Sequence, residues 1–114
     1  MNHFISLFIL SFSILYSQPS VQEKQKIDYL LKSISESNLI FIRNGIEYDS
    51  QKARSHLESK YNYYESKINS VEDFIEILAT KSSITGIYYK IKTKDNQTIL
   101  AKDWLEKKLK LYEK

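Results

Sequence analysis

The chain of 114 residues contains no cysteine. That excludes disulfides, thiolate metal sites, a cysteine nucleophile and a lipidated N-terminal cysteine. Two glycines and one proline are too few for a collagen-like or linker-rich chain, or for a glycine loop wrapped around phosphates. Charge is missing as well from one end: no Lys, Arg, Asp or Glu occurs between Met1 and Ser17. The two histidines are His3 and His56, so beyond residue 17 a single imidazole is available for chemistry.

What is present is ordinary for a folded protein. Hydrophobic residues make up 42% and charged residues 27%, with a net charge of +3, which predicts one globular domain with a small core rather than disorder. Lys and Glu interleave along the chain, the pattern of a solvated surface. Scattered charge of this kind, together with the exported location argued below, predicts no nucleic-acid partner.

The run Phe4 to Tyr16 is apolar apart from Ser6, Ser11 and Ser13. About thirteen residues of helix span roughly 20 Å, short of the ~30 Å hydrocarbon core. The expectation is a signal peptide over residues 1–17, cut near Ser17, and a mature domain over 18–114 delivered to the periplasm or otherwise exported. An uncleaved anchor is the alternative, and only then would the chain touch a membrane.

The most legible stretch is Leu39 to Asp49, L-I-F-I-R-N-G-I-E-Y-D. Asn44-Gly45 is the dipeptide that a two-residue type I′ turn requires, because both central residues take φ > 0. That turn pairs Arg43 with Ile46, Ile42 with Glu47 and Phe41 with Tyr48, and places Phe41, Arg43 and Tyr48 on one face. Asp49 is then the N-cap of a helix over about Ser50 to Ile68, with Ala53, Leu57, Tyr61, Tyr64 and Ile68 inward. Upstream, Ile27, Leu30, Leu31 and Ile34 have the spacing of an amphipathic helix over about Val21 to Ser37. Downstream, Ser70 caps a short helix, Val71 to Thr80, with Phe74, Ile75, Ile77 and Leu78 inward. Lys81 to Gly86 is a loop, Ile87 to Lys92 alternates as a strand, Thr98 to Leu100 returns, and about Lys102 to Tyr112 is helical. The order α-ββ-α-α-ββ-α predicts an α+β fold, with two β-hairpins joined into one small antiparallel sheet packed with about four helices.

Several of these segments, taken together, resemble a known family. They are F-I-R-N-G-x-E-Y-D at Phe41 to Asp49, H-L at His56-Leu57, K-Y at Lys60-Tyr61, E-D-F-I-E at Glu72 to Glu76, K-S-S-x-x-G at Lys81 to Gly86, and D-W-L at Asp103 to Leu105. In this order and spacing the chain, from about Ile27 to Leu109, resembles the YfeK-like family of small exported bacterial proteins, a domain of unknown function. The resemblance implies export and an α+β fold, and brings no activity, ligand or catalytic residue. Ile87 departs from it, standing where a polar lead into the strand is expected.

Candidate ligand-binding residues are Arg43, Asn44, His56, Lys81, Ser82 and Ser83. Arg43 can offer a planar fork to a carboxylate or phosphate; its structural alternatives are an ion pair with Asp49 or Glu72, or capping of helix carbonyls. His56 has Lys52 and Lys60 four residues either side, so no helical two-ligand metal site forms, and no metal or other cofactor is expected. It is either a half-buried residue at the helix–sheet seam or a general base lacking an evident partner. Lys81-Ser82-Ser83 places hydroxyls beside an amine, a conceivable nucleophile pair, but these are also ordinary residues after a helix C-terminus. If the loop binds anything, an anion or a sugar suits it. The tyrosines are expected at the core edge with their hydroxyls reaching water. No pair has catalytic spacing, so the sequence favours a non-enzymatic binding or interaction module, partnered by an envelope protein or a small anionic or saccharide ligand. A small hydrolase or lyase acting on an envelope polymer is the alternative.

Overall fold

The computed structural model describes residues 19–114; the expected signal segment lies outside the described residues. The chain opens on α1 (Val21–Glu36), capped by the Ser20 hydroxyl, which accepts from the Glu23 N–H. Its stripe of Ile27, Leu30, Leu31 and Ile34 is buried, as the spacing requires. Asn38, at φ 56°, turns the chain into β1 (Ile40–Arg43) and β2 (Ile46–Tyr48).

The turn between these strands is the predicted one. Asn44 and Gly45 take φ of 52° and 77°, and the register is Arg43 with Ile46, Ile42 with Glu47 and Phe41 with Tyr48. Asp49 ends the hairpin and caps α2 (Ser50–Tyr63), its carboxylate accepting from the Lys52 N–H at 2.8 Å. The far end of α1 is tied to the start of α2 through one carbonyl. Ser35 O accepts from Ser50 Oγ at 3.3 Å and from Gln51 Nε2 at 3.0 Å.

The second half departs from the sequence expectation in three places. α2 stops at Tyr63 instead of running to Ile68, and a 3₁₀ turn, Glu65–Lys67, follows. Ile68, next after this turn, is fully buried in the core, the side on which the sequence places it. The next helix, α3 (Val71–Asp73), passes at once into a π-helical stretch, Phe74–Leu78. Phe74, Ile75 and Leu78 are buried but Ile77, expected inward, is 44% exposed, because it stands on the flank of that stripe. Finally, β3 covers only Lys90–Lys92 rather than Ile87 to Lys92. The reason is register: β1 pairs Ile42 with Lys90, so Tyr88 would have to face Asn44, which is already in the turn. Residues before Lys90 bond instead to the end of the preceding helix, Tyr89 N–H to Thr80 O at 3.0 Å and Ser82 N–H to Ile87 O at 3.0 Å.

β4 (Thr98–Leu100) returns beside β3 and leads without a loop into α4 (Ala101–Tyr112). The two hairpins join edge to edge through β1 and β3 into one antiparallel sheet of order β2-β1-β3-β4. Its inner face carries Phe41 and Ile91, both buried against the helices, and Phe41 meets Trp104 of α4 edge-on at 6.1 Å. Its outer face carries charge, including a 2.7 Å ion pair between Lys92 and Glu47. This is the α+β architecture that the element order implied.

Candidate functional site

The same alternation that buries Phe41 points Arg43 and Tyr48 toward α2, at the end of the sheet nearest the turn. α2 answers with Ala53, His56, Leu57 and Lys60, residues spaced at three and four along one face. A small cleft of about 50 Å3 lies along this seam. Phe41, Leu57, Ala79 and Leu105 contribute apolar surface to it, and Arg43, Tyr48, His56, Lys60 and Tyr89 supply the polar groups. Among the described residues no Asp or Glu lines it.

Two cation–tyrosine pairs stand among these groups. The Arg43 guanidinium lies over the Tyr48 ring at 5.4 Å and donates from Nη2 to the Tyr48 hydroxyl at 3.5 Å. Its Nε is buried and meets no acceptor among the described residues, and the ion pair with Asp49 or Glu72 that the sequence allowed does not form. Lys60 lies over the Tyr89 ring at 5.1 Å, donating to the Leu78 carbonyl at 2.9 Å and to the Tyr89 hydroxyl at 3.1 Å. Lys60 thus satisfies a carbonyl at the C-terminal end of the π-helical stretch while keeping its charge at the cleft.

His56 sits between these pairs, edge-on to Tyr48 with ring centroids 4.9 Å apart. Burial, then the charges of Arg43 and Lys52, hold its imidazole below the ordinary value of 6.5. It is therefore neutral at pH 7, able to donate from one ring nitrogen and accept at the other.

Of the six candidates, Arg43 and His56 come together in the cleft. Asn44 stands at the hairpin turn, its side-chain oxygen accepting from the Thr85 hydroxyl at 2.7 Å. Lys81, Ser82 and Ser83 do not line the cleft. Ser82 is buried with its hydroxyl accepting from the Ile84 and Thr85 N–H groups, both at 3.3 Å. Lys81 lies over Tyr88 at 6.0 Å, and Ser83 is exposed. Sequence reasoning missed Tyr48, Lys60 and Tyr89 as members of the site. The available signal was the four-residue spacing of His56 and Lys60, which puts both on the helix face that Arg43 and Tyr48 approach. Among the described residues no group of three His, Asp or Glu is placed to hold a metal ion, and no helix is long and apolar enough to cross a membrane.

Comparison with known proteins agrees with the resemblance drawn from the motifs. The uncharacterized protein YfeK of Salmonella typhimurium is 32% identical over 75 residues, a match covering 65% of this chain and 62% of that protein. The chain thus spans less than two thirds of that relative's length. No solved structure matches. A family of unknown function, DUF5329, matches residues 21–113, from the first residue of α1 to just beyond the end of α4. The protein belongs to the DUF5329 family.

Proposed function

We propose that the protein is an exported, non-enzymatic binding domain of the cell envelope, and that its ligand occupies the cleft between α2 and the sheet. The observation that carries this reading is the convergence there of Arg43 and His56, from opposite sides, beside an apolar floor. Concave, mostly apolar sites with a few convergent polar groups are where small ligands bind. A hydrolase or lyase reading would gain support from the Ser82 and Ser83 hydroxyls converging with His56 and Arg43; both serines lie outside the cleft, and Ser82 is engaged in its own loop. Support for export comes from the uncharged, apolar run Phe4 to Tyr16.

Two experiments test the two halves. Expression followed by osmotic shock should release a protein whose mass lacks residues 1–17; full-length protein retained in the cytosol overturns export. A thermal-shift screen of acidic small molecules, muropeptides and saccharides should give stabilising compounds whose effect is lost in Leu57→Trp, which fills the cleft from α2. Compounds that stabilise both proteins equally place binding elsewhere.

A further inference from the structure

We propose that the cleft takes a small apolar anion: a carboxylate or phosphate monoester on an aromatic or aliphatic body, gripped by the Arg43 guanidinium. This rests on the binding reading above and gives the site its ligand chemistry.

Arg43 is the group that asks for an anion. A half-buried guanidinium is often matched by a carboxylate or by several carbonyls. Among the described residues Arg43 has no ion pair, its Nε is buried without an acceptor, and its one hydrogen bond, to Tyr48, is long at 3.5 Å. With Nε closed off by the protein, the reachable edge of the guanidinium plane is its Nη1/Nη2 end, which carries two N–H donors aimed in parallel. That edge matches the two oxygens of a carboxylate or of a phosphate. Tyr48, its ring centroid 5.4 Å from the guanidinium carbon, holds the fork at the cleft.

The surroundings agree with an anion and reject a cation. Lys60 holds a second positive charge at the cleft, and among the described residues nothing acidic lines it to compete. His56, kept neutral mainly by burial, adds a donor without demanding a counter-charge. The rest of the ligand must be apolar. Phe41, Leu57, Ala79 and Leu105 offer no hydrogen bonds, so a sugar ring seated on them would leave its hydroxyls unpaired. A single aromatic ring or a short alkyl chain carrying one anionic group matches the chemistry of both halves of the site.

The test is calorimetric titration of the purified protein with four probes: 3-phenylpropionate, phenyl phosphate, the neutral isostere 3-phenylpropionamide, and glucose. The two anions should bind at least about tenfold more tightly than the amide, a difference of the size of one charge-assisted bidentate contact. Arg43→Gln should bring the anions down to the amide's level, and Arg43→Lys, which keeps the charge without the fork, should recover only part of the gap. The ratio of 3-phenylpropionate to phenyl phosphate then tells which anion the fork prefers. Equal affinity of acid and amide overturns the anion assignment and leaves a neutral-ligand cleft. Tighter binding of glucose than of the anions overturns it in favour of a saccharide site. No binding by any of the four overturns both this assignment and the cleft reading itself.

Discussion

The rings of Tyr48 and His56 meet edge to face, 82° apart in plane and 4.9 Å between centroids. This contact joins the last residue of β2 to the middle of α2 and keeps the imidazole beside Arg43. Burial first, and then Arg43 and Lys52, depress the imidazole below 6.5. In the window between the depressed folded value and 6.5 the unfolded chain binds the proton more readily, so stability falls as pH drops through that window and is unaffected above it. His56→Gln should therefore flatten the dependence of Tm on pH between about 7.5 and 5.5. Thermal melts followed by circular dichroism check this; the same slope in both proteins would mean that His56 carries none of it.

Glu23, far from the cleft, accepts from the Val71 N–H at 2.8 Å across 48 residues of chain. This caps the start of α3 from α1, and Lys26 bridges the same carboxylate to Glu113 beyond α4, at 3.1 and 3.3 Å. The Val71 bond lowers the Glu23 carboxyl below 4.5, helped by Lys26 and opposed by partial burial. Its contribution is present above 4.5 and is lost as pH falls through the lower folded value. Glu23→Ala should cost about 1 kcal/mol at neutral pH. The loss should shrink as pH falls through the lowered folded value, beneath which the carboxylate is protonated in both states. Urea titrations at neutral pH and across the acid range measure both effects.

At the hairpin, Gly45 sits at φ 77° with no atom within 4 Å of a built Cβ. Space is therefore not the obstacle to a side chain there; backbone conformation is. Gly45→Val should destabilise by about 1–3 kcal/mol through a β-branched residue forced into the left-handed region. An unchanged melting temperature would show that the turn adopts another geometry.

The Tyr61 hydroxyl is buried and has no partner among the described residues, while its ring packs edge-on against Phe74 at 5.8 Å. Burial also pushes this phenol above 10.0. Tyr61→Phe keeps the ring and removes the unpaired donor, so it should leave stability unchanged or raise it by about 1 kcal/mol. A loss of similar size would mean that the hydroxyl is hydrogen-bonded in solution.

The parts of the fold that were legible in the sequence are those set by local chemistry. Asn44-Gly45 dictates a two-residue turn, and the turn dictates the pairing of Phe41 with Tyr48. Asp49 and Ser70 mark helix starts because their side chains accept from backbone N–H groups three residues on. The parts that were not legible depend on distant partners. Ile87 and Tyr88 alternate like a strand, but β1 runs out opposite them. The 3₁₀ turn before Ile68 and the π-helical stretch at Phe74 answer to core shape rather than to propensity. The cleft shows the same division: Arg43 and His56 stand out as residue types and Lys60 follows from its helix spacing, whereas Tyr89 joins them only in the folded chain, where its hydroxyl accepts from Lys60.

The most direct measurement of the cleft is a heteronuclear NMR titration of the isotopically labelled protein with 3-phenylpropionate. The expected result is saturable shifts concentrated at Arg43, Tyr48, His56 and Tyr89, with the Ser83 and Lys92 signals unmoved. Shifts centred on the Lys81 to Gly86 loop, or none at the cleft at saturating ligand, would contradict it.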